Sequence, residues 1–148
     1  MLYSPPFTRT EAAWPAAARP RSTISTKELT MPRDWDLVRA ILLALEQLPD
    51  FKGQLRPEDI QGYNAALVTY HIMLIEEAGL IEAIVSQTMG GEAFALGRRM
   101  TWAGHELLDA IRAPSMWNRI KRTALDKGLD LTLDVILAIA KKLAELAL

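Results

Sequence analysis

The stretch Tyr70–Ala83, "YHIMLIEEAGLIEA", changes its period part-way through, and that change decides the fold class. Its first residues carry apolar side chains at helical spacing. Ala78-Gly79 then closes the helix, since glycine adopts the left-handed C-cap conformation without a Cβ penalty, and Leu80-Ile81 begins an extended segment. Upstream, Gly62 breaks the chain and Asn64 is a capping residue type, so the spacing predicts a helix that begins at an Asn64 cap and ends at Ala78. On its wheel Leu67, Val68, His71, Leu74, Ile75 and Ala78 share one face, with Ile72 at the border; Ala66, Thr69, Met73 and Glu76 point outward.

Downstream, "IEAIVS" and "AFALGRRMT" flank "QTMGGE", where Gly90-Gly91 supplies the positive-φ freedom of a hairpin turn. Arg98 and Arg99 fall late in the second strand, and regular alternation sends them to opposite faces, so only one can meet a partner. Toward the N-terminus, Leu37, Val38, Ile41, Leu42, Leu45 and Leu48 form the stripe of a core-facing helix running from Pro32 or Arg33 to Leu48, with Pro49-Asp50 as its stop. The connection "FKGQLRPEDIQGY" is broken by Gly53, Pro57 and Gly62, which leaves room for a short strand around Asp59 to Gln61 but not for a regular helix. A helix, a broken connection, and a second helix running directly into a hairpin is the order of a winged helix-turn-helix. The expected class is therefore mostly α (α+β), with a two-stranded wing and a C-terminal helical extension.

Three helices are expected after the hairpin. The first opens at Thr101 as N-cap and carries Trp102, Leu107, Leu108 and Ile111. The second starts at Pro114 and ends at Gly128, with Trp117, Ile120 and Ala124 on one face and Arg119, Lys121, Arg122 and Lys127 elsewhere. The third, "DLTLDVILAIAKKLAELAL", has Asp130 as N-cap, Asp134 in its first turn and Lys141 and Lys142 late, an order that suits the helix dipole. Asp134, Lys141, Lys142 and Glu145 make a polar sector that excludes a membrane span. The remaining arc is wide enough to pack against a second copy, and Ile136, Ile139, Leu143 and Leu146 are the expected seam of a homodimer; closing the chain's own core is the other use of that face.

Composition bounds the chemistry. The absence of cysteine removes disulfides, thiolate metal sites and thiol nucleophiles. The net charge of −1 shows none of the whole-chain basicity of many nucleic-acid binders, and from Met31 onward 13 Lys and Arg stand against 16 Asp and Glu. His105 and Asp109 lie one helical turn apart but lack a nucleophile, and two histidines are too few for a metal site, so no catalytic residue, metal or cofactor is expected. His71, on an apolar face, reads as a hydrogen-bonded core histidine. Residues 1–30 contain Pro5, Pro6, Pro15 and Pro20 among Ser, Thr, Ala and Arg without a lasting period, which predicts disorder and no signal peptide; structured sequence opens at Met31. The expected division is 1–30 as an extension, 31–112 as the winged-helix domain and 113–148 as the helical extension, in a cytoplasmic protein.

"HIMLIEEAGLI" resembles the end of the recognition helix in ArsR-like and other winged-helix repressors. Over a longer span, "RDWDLVRAILLALE", "GYNAALVTYHIMLIEEAGLIEA", "MTWAGHELLDAIR", "WNRIK" and "LTLDVI" resemble the domain of unknown function 2513 family of bacterial and phage proteins, from Met31 to the C-terminus. That resemblance implies a winged-helix fold and no assigned activity. Where the ArsR-like pattern carries Lys and Arg, this chain has Met73 and Glu76, and carboxylates repel phosphates. The leading expectation is a transcription regulator that binds double-stranded DNA through Asn64, Thr69, Arg98, Arg99, Arg119 and Arg122; the alternative is a winged-helix module that contacts an unknown protein partner without binding DNA. Because residues 1–30 read as aperiodic, a chain starting at Met31 should melt at the same temperature as the full chain in calorimetry; loss of cooperative unfolding on truncation would contradict this.

Overall fold

The computed structural model describes residues 31–50 and 52–147, and the expectation of disorder for residues 1–30 lies outside them. Helix α1 (Trp35–Glu46) starts where the Asp34 carboxylate accepts the backbone N–H groups of Asp36 at 2.9 Å and Leu37 at 3.2 Å. It is shorter than its apolar period suggests because Asp34 takes extended backbone as the cap and Gln47 closes the other end. Leu37, Val38, Ile41, Leu42 and Leu45 are all buried.

Helix α2 (Ala65–Glu77) is capped by Asn64, whose side-chain oxygen accepts the Ala66 N–H at 2.8 Å. It closes at Gly79, φ +79°, with the Leu80 N–H returning to the Ile75 carbonyl at 2.9 Å. The buried arc is Val68, His71, Ile72 and Ile75. Ile72, expected at the border, is fully buried, and Ala78, expected inside, is exposed. The difference arises because α2 packs against α1 and against both strands of the hairpin, which rotates its inward sector toward position 72.

The connection between these helices differs from expectation. No strand forms at Asp59 to Gln61: Pro57–Asp59 is a 3-10 turn, held by the Asp59 carboxylate accepting the Arg56 N–H at 2.9 Å. The extended residue is Leu55, which exchanges both backbone bonds with Gly97 at 2.8 and 2.9 Å. Strands β1 (Ile81–Gln87) and β2 (Ala93–Met100) pair antiparallel around a turn in which Gly91 takes φ +89°. Their register slips after Glu82, leaving Arg98 as the extra residue of a β-bulge. Burial on β2 therefore falls at Ala95, Gly97 and Met100, not Arg99. The expected split of Arg98 and Arg99 to opposite faces assumed an uninterrupted alternation, and the bulge removes it.

Helices α3 (Trp102–Ile111), α4 (Pro114–Asp126) and α5 (Leu133–Ala147) follow. Helix α4 buries Trp117, Ile120 and Ala124 and ends at Gly128, φ +68°, as its sequence implies. Helix α5 starts later than expected, with the Thr132 hydroxyl, not Asp130, accepting the Val135 N–H at 3.2 Å. Because it runs to Ala147, Lys141 and Lys142 lie outside its last turn, so the dipole pairing expected for them is absent. Long-range hydrogen bonds join α1 to the C-terminal helices. The Trp35 indole donates to the Leu131 carbonyl at 2.9 Å, and Arg39 donates to the Ile111 and Arg112 carbonyls, satisfying the end of α3. Trp117 and Lys121 both donate to Asp36 Oδ1, at 2.7 and 2.9 Å.

At the base of the hairpin, the Thr101 N–H donates to the Leu80 carbonyl at 2.9 Å. Its hydroxyl donates to the Gly79 carbonyl at 2.6 Å and accepts the Gly104 N–H at 3.2 Å. Gly104 sits so close that an added Cβ would lie 2.0 Å from the Leu80 carbonyl oxygen. In an exposed helix Gly→Ala stabilises by about 1 kcal/mol. Here Gly104→Ala should instead destabilise by about 2 kcal/mol or more, because backbone must move to admit it; an unchanged denaturant midpoint would refute the close approach.

Burial acts to raise the Asp36 carboxyl, but the hydrogen bonds from Lys121 and Trp117 and the charges of Lys121 and Arg39 outweigh it and hold Asp36 below the usual carboxylate range. A carboxyl lowered in the folded state stabilises above its unfolded value, about pH 4, and loses that contribution as pH falls through the folded value. Asp36→Asn should therefore be less stable than wild type at neutral pH, with the gap in melting temperature closing in acid. A gap that persists unchanged to low pH would contradict this.

Candidate functional site

Helix α2 and the hairpin form one continuous surface, and beside it lies a groove of about 460 Å³. Its walls are the N-terminal half of α2 (Ala65, Ala66, Thr69), the 54–58 segment with Gln54 and Arg56, and residues 93–96 of β2. Within this surface several polar groups are already engaged. The Asn64 side-chain oxygen is occupied as a cap, and the half-buried Thr69 hydroxyl donates to the Ala65 carbonyl at 2.9 Å. Arg99 makes a two-pronged ion pair with Glu82 at 3.1 and 2.6 Å and a third bond to the Met100 carbonyl. Arg98, at the bulge, has its Nε buried with no hydrogen-bond partner.

Arg119 and Arg122 are exposed, but on α4, which packs against α3 and α5. Of the residues expected to contact DNA, Thr69 alone lines this groove; Asn64, Arg98 and Arg99 lie outside its lining, and the two α4 arginines belong to a different packing layer. Of the four residues expected to form a dimer seam, Ile136, Ile139 and Leu143 are buried within the chain itself, while Leu146 is 73% exposed.

His71 is the buried polar side chain of the described core. Its Nε2 accepts the Asp34 N–H at 2.8 Å and its Nδ1 donates to the Leu67 carbonyl at 2.9 Å, an arrangement that requires the neutral Nδ1–H form. It is a structural pin between the start of α1 and the middle of α2. His105 is exposed, and the Asp109 carboxylate it was spaced to meet is held by Arg112 at 2.9 Å. Arg112 also pairs with Glu46, and its two carboxylate partners raise its pKa. Among the described residues no group of three or more His, Asp or Glu could hold a metal ion, and no helix is long and apolar enough to cross a membrane.

Two properties of the helix–hairpin surface escape residue-by-residue reading. Between Arg56 and Arg98 the sequence contains no Lys or Arg, against six acids: Glu58, Asp59, Glu76, Glu77, Glu82 and Glu92. The hairpin also exposes large apolar side chains, including Ile84, Val85 and Met89, with Phe94 50% exposed. The signal was present as unbroken apolar runs, "AIV" and "AFAL", in strands whose inward face needs only every second residue. Trp102, at the start of α3, is 80% exposed, which its helical spacing did not reveal.

The family described as "Hypothetical protein (DUF2513)" matches residues 32–130. An "Uncharacterized protein" of Haemophilus influenzae is 45% identical over 111 residues, covering 75% of this chain and 93% of that protein. No solved structure matches the chain. The matched span runs from α1 through α4, with α2 and the hairpin inside it, and on that extent the chain belongs to the DUF2513 family.

Proposed function

We propose that this chain is a winged-helix protein-interaction module, with α2 and the hairpin as its contact surface. The winged-helix reading is supported by element order: α1, the single Leu55 bridge in the place of a first strand, the 3-10 turn as a shortened second helix, then α2 running through Gly79 into the hairpin. In that arrangement the last helix and the wing are the elements that reach a nucleic-acid partner.

One observation carries the choice of partner: α2, β1, the turn and β2 as far as Gly97 lie in the Arg56–Arg98 interval, which holds six acids and no Lys or Arg, and of the two arginines that follow in β2, Arg99 is paired with Glu82. Non-specific affinity for duplex DNA comes from cations that neutralise phosphates and release counterions. A surface with Glu76, Glu77 and Glu92 exposed repels the same phosphates. What it offers instead is exposed apolar area, with Ile84 and Val85 on β1, Met89 in the turn and Phe94 on β2, among carboxylates, the composition of a protein contact.

The second reading, a DNA-binding transcription regulator, is favoured by Arg119 and Arg122, which are exposed on α4 with no ion-pair partner among the described residues. Fluorescence anisotropy with random duplex DNA over a range of salt separates the two. The interaction module should leave the duplex unbound even at low salt, where charge attraction is least screened. Saturable binding whose salt slope flattens in Arg119→Ala/Arg122→Ala would overturn the proposal in favour of the regulator.

A further inference from the structure

Helices α3, α4 and α5 border an open groove of about 580 Å³. Met116, Leu137 and Ala140 give it an apolar floor, and Leu137 is 37% exposed. Its walls carry opposite charges: Glu106 and Asp109 on α3, and Lys141 on α5. Asp109 is held by Arg112. Glu106 and Lys141 form no ion pair with any described residue.

A two-fold axis that runs along such a groove turns the basic wall of one copy over the acidic wall of the other. The surface is then complementary to itself, which is what a closed two-fold interface demands. A helix from an unrelated protein has no need of walls of both signs.

We infer that this groove is a homodimer seam, in which the apolar floors of the two copies, Leu137 in each, meet and Lys141 of each lies beside Glu106 of the partner subunit. The occupant is a second copy of this chain, and the inference stands independently of what α2 and the hairpin bind. It also moves the seam away from Ile136, Ile139 and Leu143, which the chain's own packing consumes, to the next strip around α5.

Sedimentation velocity of the full chain tests the pairing. Wild type should associate to a dimer in the micromolar range. Lys141→Glu and Glu106→Lys should each weaken association by at least about tenfold, because each reversal sets like charges together at both symmetric positions. Both sites are solvent-exposed, so the variants should melt as wild type does. Combining the two substitutions restores opposite charges at both positions and should restore the dimer. A wild-type chain that stays monomeric at high concentration, single reversals that leave association unchanged, or a combined variant that fails to recover would each overturn the seam.

Discussion

Leu80 is the residue at which the rest of the structure is fixed. Its N–H closes α2 onto Ile75, its carbonyl accepts the Thr101 N–H, and Gly104 leaves no room for a Cβ against it. Thr101 adds the cap of α3 and a bond to the Gly79 carbonyl. Each such bond contributes about 1 kcal/mol net, yet a buried backbone group left unpaired costs about 1–3 kcal/mol, so the joint forms as a whole or not at all. The end of α2, both ends of the hairpin and the start of α3 are consequently one hydrogen-bonded unit. His71 and Arg39 extend it, by tying α1 to α2 and to the end of α3.

The proposed function rests on what that unit presents. The joint sets the hairpin beside α2, where Glu76, Glu77 and Glu92 are exposed along with Ile84, Val85 and Phe94. The bulge at Arg98 contributes to this, because it returns Met100 to the core and leaves Arg99 free to pair with Glu82 across the strands. A cation that sequence offers to phosphate is thereby spent on a neighbouring carboxylate. The C-terminal helices are a second, differently charged region, where both signs border an apolar groove.

Local chemistry made much of this legible in advance. Asn64 and Gly79 bound α2, Gly91 turns the hairpin, and Gly128 ends α4, because caps and positive-φ turns are decided within a few residues. What stayed hidden depends on residues far apart in the chain. The bridge at Leu55 forms with Gly97, more than forty residues on, where an added Cβ would come within 3.1 Å of the Leu45 side chain. Asp130 and Thr132 are both capping types, and it is Thr132 that caps, next to the Leu131 carbonyl that accepts the Trp35 indole from the far end of the chain. The candidate DNA contacts were visible singly, but Arg99 gains its Glu82 partner only through the strand register.

Native-state hydrogen exchange tests most directly whether α2, the hairpin and α3 act as one unit. The amides of Leu80, Gly97 and Thr101 should exchange only through global unfolding, with the same opening free energy as buried amides of α1 such as Ile41 and Leu42. Exchange of Leu80 and Thr101 through a local opening, while α1 remains protected, would show that the hairpin moves independently and would contradict the account.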